Sequence, residues 1–179
     1  MKNIVNIVAF QAVWFASVIG AASGVPWLGA VLLVPFAFWQ LSVSDDPAYD
    51  RRAVILLCLA GALIDSIYPL AGMLGYVAPW PVPGLAPAWL VLMWINLGLT
   101  LNHSLAWLRG RHLLASAFRG IGGGLSYYAG YRLGAMEMYW PTPLAVGLIG
   151  LVWAAALPVM YAVLDRMARL SSGSVPTPR

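Results

Sequence analysis

The sequence predicts an all-α, polytopic membrane bundle of about six transmembrane helices with both termini in the cytoplasm. Three observations lead there. First, of 179 residues 61% are hydrophobic and only 9% charged, with a mean hydropathy of +0.81. A soluble domain carries roughly 25% charged residues, so a globule of this composition could not cover itself with polar groups. Second, apolar runs recur at close to the ~20 residues that cross a bilayer, and about six of them exhaust the chain. Third, Lys and Arg are shared unequally between the connections.

The first helix is expected at 4–22. Lys2 and the small cluster at 20–24 partly fit a secretory signal, but the apolar run is longer than a signal core and more spans follow, so it reads as a retained helix. Ser23-Gly24-Val25-Pro26 is a turn, and 27–41 a short second helix with Pro35 inside. Residues 42–52 (SVSDDPAYDRR) read as a solvated loop, with Asp45 and Asp46 in its turn. A third helix is expected at 53–70. Residues 71–87 hold three glycines and four prolines and cannot form a regular helix. The fourth helix is expected at 88–108, closed by the basic turn Arg109-Gly110-Arg111-His112. The fifth runs from 113 to 130 or 134, an interfacial loop covers 136–143, and the sixth helix is 144–164. Residues 1–170 form one domain in this reading. The chain from 165 is polar, and 171–179 is a tail expected to be disordered.

With six spans and the N-terminus inside, the cytoplasmic segments hold Lys2, Arg51, Arg52, Arg109, Arg111, Arg166, Arg169 and Arg179, against Arg132 on the other side. That asymmetry is the positive-inside pattern. It also explains the net charge of +4 without a nucleic-acid partner, since the basic residues lie singly or in pairs between apolar runs. Cys58 is the sole cysteine and sits in an apolar run, so packing is its expected role and no intrachain disulfide can form.

Ionisable and polar residues at membrane depth cost free energy unless paired or hydrated, which makes each a site candidate. At ~1.5 Å per residue, Asp65 and Asn96 lie ~18 Å from the cytoplasmic end and Ser126 and Tyr127 ~20 Å, whereas His103 and Arg119 lie ~8–9 Å from it. Asn96, Thr100 and His103 share one helical face. The candidate polar pocket is therefore Asp65, Asn96, Thr100, His103, Arg119, Ser126 and Tyr127. It is either a lined cavity, in which Asp65 or His103 moves a proton or holds a headgroup, or polar glue between helices with Arg119 reaching the interface. Gly122, Ser126, Gly130 and Gly134 recur every four residues, and Gly120 and Gly124 form another small pair. Such spacing suits a close helix-packing seam, within one chain or between copies.

No phosphate-binding loop, dinucleotide fingerprint or nucleophile elbow is present, and two histidines among scattered carboxylates give no metal spacing. No cofactor and no metal are expected, and a catalytic residue cannot be assigned.

Two motifs, Leu101-Asn102-His103-Ser104-Leu105-Ala106-Trp107-Leu108 and Gly123-Gly124-Leu125-Ser126-Tyr127-Tyr128-Ala129-Gly130 with Arg132-Leu133-Gly134-Ala135, are familiar. Together they resemble an uncharacterised family of small bacterial inner-membrane proteins, a domain of unknown function, over nearly the whole chain. The family often has Pro where this chain has Gly124. Its members lie near genes resembling cyclopropane-fatty-acid synthase and other lipid-modifying enzymes, so the resemblance implies a lipid-related role and names no catalytic residue. Three functions stay open: acting in or assisting membrane-lipid modification, with membrane lipid and lipid-modifying enzymes as partners; a small transporter or flippase-like carrier with Asp65 as coupling group; and a non-catalytic scaffold that binds partner helices, or a second copy, through the glycine seam.

Overall fold

The computed structural model describes residues 1–172, with side chains to 170. Six helices alternate in direction. Helix α1 (Lys2–Ala22) ends where Gly24 takes a positive φ of 77° that only glycine adopts without strain. Helix α2 (Leu28–Val43) returns, running through Pro35. Helix α3 (Pro47–Leu70) starts earlier than expected, inside the polar stretch. Asp46 caps it by accepting from the Tyr49 amide (2.9 Å), and Pro47 opens its first turn. The segment read as a solvated loop to Arg52 is thus helical from Pro47 onward.

Two short strands, β1 (Leu74–Tyr76) and β2 (Met136–Met138), pair antiparallel with Gly75 opposite Glu137. They tie the connection after α3 to the one before α6 (Thr142–Ser172), which follows α5 (His112–Arg132). This clasp is the one departure from an all-helical architecture among the described residues. The polar segment expected from 165 begins inside α6, and Asp165 there pairs with Arg109. The disorder expected of 171–179 falls, beyond Ser172, outside the described residues.

The larger correction concerns α4, which is Ala88–Gly98, not 88–108. From Leu99 to Leu105 the chain makes successive turns, ending in a single 3-10 turn, Ala106–Leu108. This stretch is central. Helix α4 packs on α3, α1 and α2, and no residue from 86 to 106 is exposed. Gly98 lets α4 touch the α3 backbone, since a Cβ there would come within 2.9 Å of Val54 Cα.

Hydrophobic side chains face outward, as on the α3 stripe Ile55, Leu59, Leu63 and Ile67, while Asn6, Ser17, Gln40, Asp50, Asp65, Asn96 and Thr100 are buried. Water as solvent would favour the reverse; hydrocarbon favours this arrangement. Three helices are long and apolar enough to cross a membrane: α1, α3, and α6 over Thr142–Leu170. Helices α2 and α4 are apolar but shorter. The six helices are therefore all present, with the full apolar span length met by three of them.

Candidate functional site

The break after α4 frees backbone groups in the interior, where each must find a partner inside the protein. The surrounding helices supply them. Asn6 on α1 donates to the Leu99 carbonyl (2.9 Å) and to Gln40 Oε1 on α2 (2.6 Å), and it accepts from Ser104 Oγ (2.5 Å). Tyr161 on α6 donates to the carbonyls of Leu105 (2.9 Å) and Leu101 (3.3 Å). His103 Nε2 lies 2.8 Å from Asp50 Oδ2 on α3, and that carboxylate is fully buried. The irregular segment is thereby held from α1, α3 and α6.

Where the segment departs from the helix path it opens a cleft of about 620 Å³ between α1 and α5. Phe10, Trp14, Leu105, Trp107, Phe118 and Leu125 give it apolar walls; Gln11, Thr100, Ser104, Arg119 and Ser126 add polar groups. Trp14 Nε1 donates to Ser126 Oγ (2.9 Å), joining α1 to α5 across it. A recess of about 50 Å³ continues inward, bounded by Arg119, Ser126, Tyr127, Trp94 and Trp153.

Arg119 lines both cavities. Its guanidinium sits 5.5 Å above the Trp153 ring, and its buried Nε and Nη2 have no hydrogen-bond partner. It lies seven residues, ~10 Å, along α5 from His112, turned inward. A cation costs about 3 kcal/mol at the middle of a span and less at the shallower depth of Arg119. A desolvated cation–π contact returns about 2 kcal/mol and leaves the N–H groups unpaired. A charge-assisted hydrogen bond contributes about 1.5–3 kcal/mol, so an anion in the cleft would remove the deficit.

Asp65 is placed differently. It is fully buried on α3, accepting from Trp94 Nε1 (2.7 Å) and from the Tyr127 hydroxyl (2.5 Å), while the Tyr76 hydroxyl donates to its backbone carbonyl (3.0 Å). Trp94 stacks on Trp153 at 4.3 Å, so Asp65 fixes one end of the indole pair on which Arg119 rests. Asp65 lines neither cavity, but its two donors wall the recess.

The remaining sequence candidates separate. Thr100, Arg119 and Ser126 line the cleft and Tyr127 the recess. Asn96 donates to the Phe10 carbonyl (3.0 Å) and His103 meets Asp50, and neither Asn96 nor His103 lines these two cavities. Thr100 Oγ1 turns back to the Leu97 carbonyl (2.6 Å). Along the glycine repeat, Gly122 faces open space and the cleft, Gly130 packs on Met136, and Gly134 takes a positive φ just past α5. The close approach of α5 to α6 is made by Gly120 and Gly124 against Gly150, with a Gly150 Cβ only 2.8 Å from the Gly120 carbonyl oxygen. Sequence reasoning passed over Asn6, Gln11, Gln40 and Asp50. The first three are amides inside apolar runs, a signal of the same type as Asn96.

Comparison with known proteins gives a match to a family. The family described as "Protein of unknown function (DUF2878)" matches residues 3–159. The chain belongs to this family. The match runs from α1 into α6 and so includes the broken α4 and both cavities of this DUF2878 member. No curated protein and no solved structure matched.

Proposed function

We propose that this chain is a polytopic protein of the bacterial inner membrane that holds a membrane lipid in the cleft between α1 and α5, and that it acts in or assists lipid modification. The observation that carries this is the interruption of α4. Irregular backbone within a membrane bundle is tolerated where it lines a cavity, and here it lines one with apolar walls sized for an acyl chain. Trp107 and Phe118, exposed and edge-to-face at 5.8 Å, stand beside its mouth. The basic end, with Arg51, Arg52, Arg109 and Arg111, faces the cytoplasm in this reading.

The test uses Gly122, whose Cβ would meet nothing within 4 Å. Gly122→Leu puts a side chain into the cleft from a position where its first carbon meets no packed neighbour. Protein purified in mild detergent is expected to carry lipid detectable by mass spectrometry, and Gly122→Leu to lose it while unfolding at the same temperature. Deletion should change the lipid profile of the cell, with wild type restoring it and Gly122→Leu failing to. Equal lipid in both proteins, or an unchanged profile, would refute the reading.

A further inference from the structure

We infer that the inner end of the cleft is an anion site built on Arg119, and that it selects lipids whose headgroup carries a net negative charge. This deepens the lipid-binding reading above and rests on it. Among the described residues the Arg119 guanidinium is the one charged group lining either cavity, and its buried Nε and Nη2 atoms are unpartnered. Among the described residues no carboxylate lines the cleft or the recess. Asp65 is engaged by Trp94 and Tyr127, Asp50 by His103, and Asp165 by Arg109. Tyr161 of α6 is the titratable group beside Arg119, a neutral phenol whose hydroxyl is committed to the Leu101 and Leu105 carbonyls. The positive charge thus has no counterion among the described residues.

Arg119 Cζ lies 5.5 Å from the Trp153 ring centroid, and its unpartnered Nε and Nη2 form the edge with which arginine grips two oxygens of a phosphate or carboxylate. Ser126 and Gln11 stand on the same walls and can supply further polar contacts. Apolar side chains make up most of the remaining wall, so a ligand with its anion at Arg119 lays its hydrocarbon against residues such as Phe10, Leu105, Phe118 and Leu125. A free inorganic anion would leave that surface unused. We therefore commit to an anionic headgroup on an acyl chain.

The experiment incubates delipidated protein in mixed micelles with phosphatidylglycerol, oleate or phosphatidylcholine of matched chains, with inorganic phosphate as a further arm, and counts retained lipid by native mass spectrometry. Phosphatidylglycerol or oleate should be retained over phosphatidylcholine by roughly ten- to hundredfold, the equivalent of one charge-assisted hydrogen bond. Arg119→Gln should abolish the preference and leave acyl-chain binding in place. Arg119→Lys, which keeps the charge without the two-pronged edge, should keep part of it. Lipid bound without charge preference would overturn the anion site and leave the cleft reading standing; no lipid bound at all would overturn both. Displacement of lipid by inorganic phosphate alone would assign Arg119 to a free anion and also overturn the proposal. The wild-type arms decide the matter even if Arg119→Gln does not fold.

Discussion

Gly61 and Asp65 lie one turn apart on α3, and both serve Trp94. Where Gly61 has no side chain the indole ring occupies the space, and its N–H then reaches Asp65 Oδ2. Gly61→Ala must push the ring aside, which costs about 1–3 kcal/mol by overpacking, and the cost includes a strained or lost bond to Asp65. Asp65→Leu strands two donors, Trp94 Nε1 and the Tyr127 hydroxyl, at about 1–3 kcal/mol each. Thermal unfolding in one detergent should rank wild type above Gly61→Ala and Gly61→Ala above Asp65→Leu. An unchanged midpoint for Gly61→Ala would mean that the ring does not depend on that space. In the sequence, depth along the helices puts Asp65 level with Asn96, Ser126 and Tyr127, and of these three it is Tyr127 that meets its carboxylate. Trp94 was not legible, since interfacial belts account for most tryptophans in such proteins and nothing local marks an indole that turns inward. Asp50 was missed for the opposite reason. Its charged neighbours argued for a loop, whereas the Asp46 cap and Pro47 start the helix before it.

The broken α4 is where sequence periodicity failed. Residues 88–108 contain no proline and stay apolar enough to read as one span. What stops the helix at Gly98 is distributed: Asn6 lies 93 residues from Leu99, and Tyr161 lies 56 from Leu105. The local hint was the polar run Asn102-His103-Ser104, whose side chains compete with helical backbone bonding; two of them are held by Asp50 and Asn6. Asn6→Leu removes the acceptor of Ser104 and the donor to Leu99 together, for about 2 kcal/mol or more. Ser104→Ala should then cost little in the Asn6→Leu background, giving a coupling of about 0.5–3 kcal/mol in a double-mutant cycle of unfolding free energies. Additive losses would show that Asn6 does not hold the segment through Ser104. On the neighbouring hairpin, Gly150→Leu should separate α5 from α6 and destabilise the fold far more than Gly147→Leu, because Gly147 has open space where Gly150 meets backbone.

At the level of the molecule the two ends of the bundle are chemically distinct. One end gathers Lys2, Asp45, Arg51, Arg52, Arg109 and Arg111; Lys2 Nζ donates to the Val43 carbonyl (2.9 Å), and Arg109 pairs with Asp165 while covering the Tyr49 ring at 4.8 Å. The other end exposes Val82 and the aromatic side chains Trp27, Trp80, Tyr139 and Trp140, which settle at a membrane–water interface, with Arg132 as the basic residue of its last α5 turn. Charge asymmetry of this size sets orientation during insertion, so the basic end should stay in the cytoplasm and the β1–β2 clasp should face away from it. Single cysteines placed in a Cys58→Ser background test this. Asp45→Cys and Arg111→Cys mark the basic end, and Val82→Cys marks the aromatic one; all three positions are exposed. A maleimide that cannot cross membranes should label Val82→Cys in intact spheroplasts, and Asp45→Cys and Arg111→Cys only after lysis. Labelling of Arg111→Cys in intact spheroplasts would invert the orientation. It would also place the mouth of the cleft beside Trp107, and with it the route by which a lipid reaches Arg119, toward the opposite leaflet.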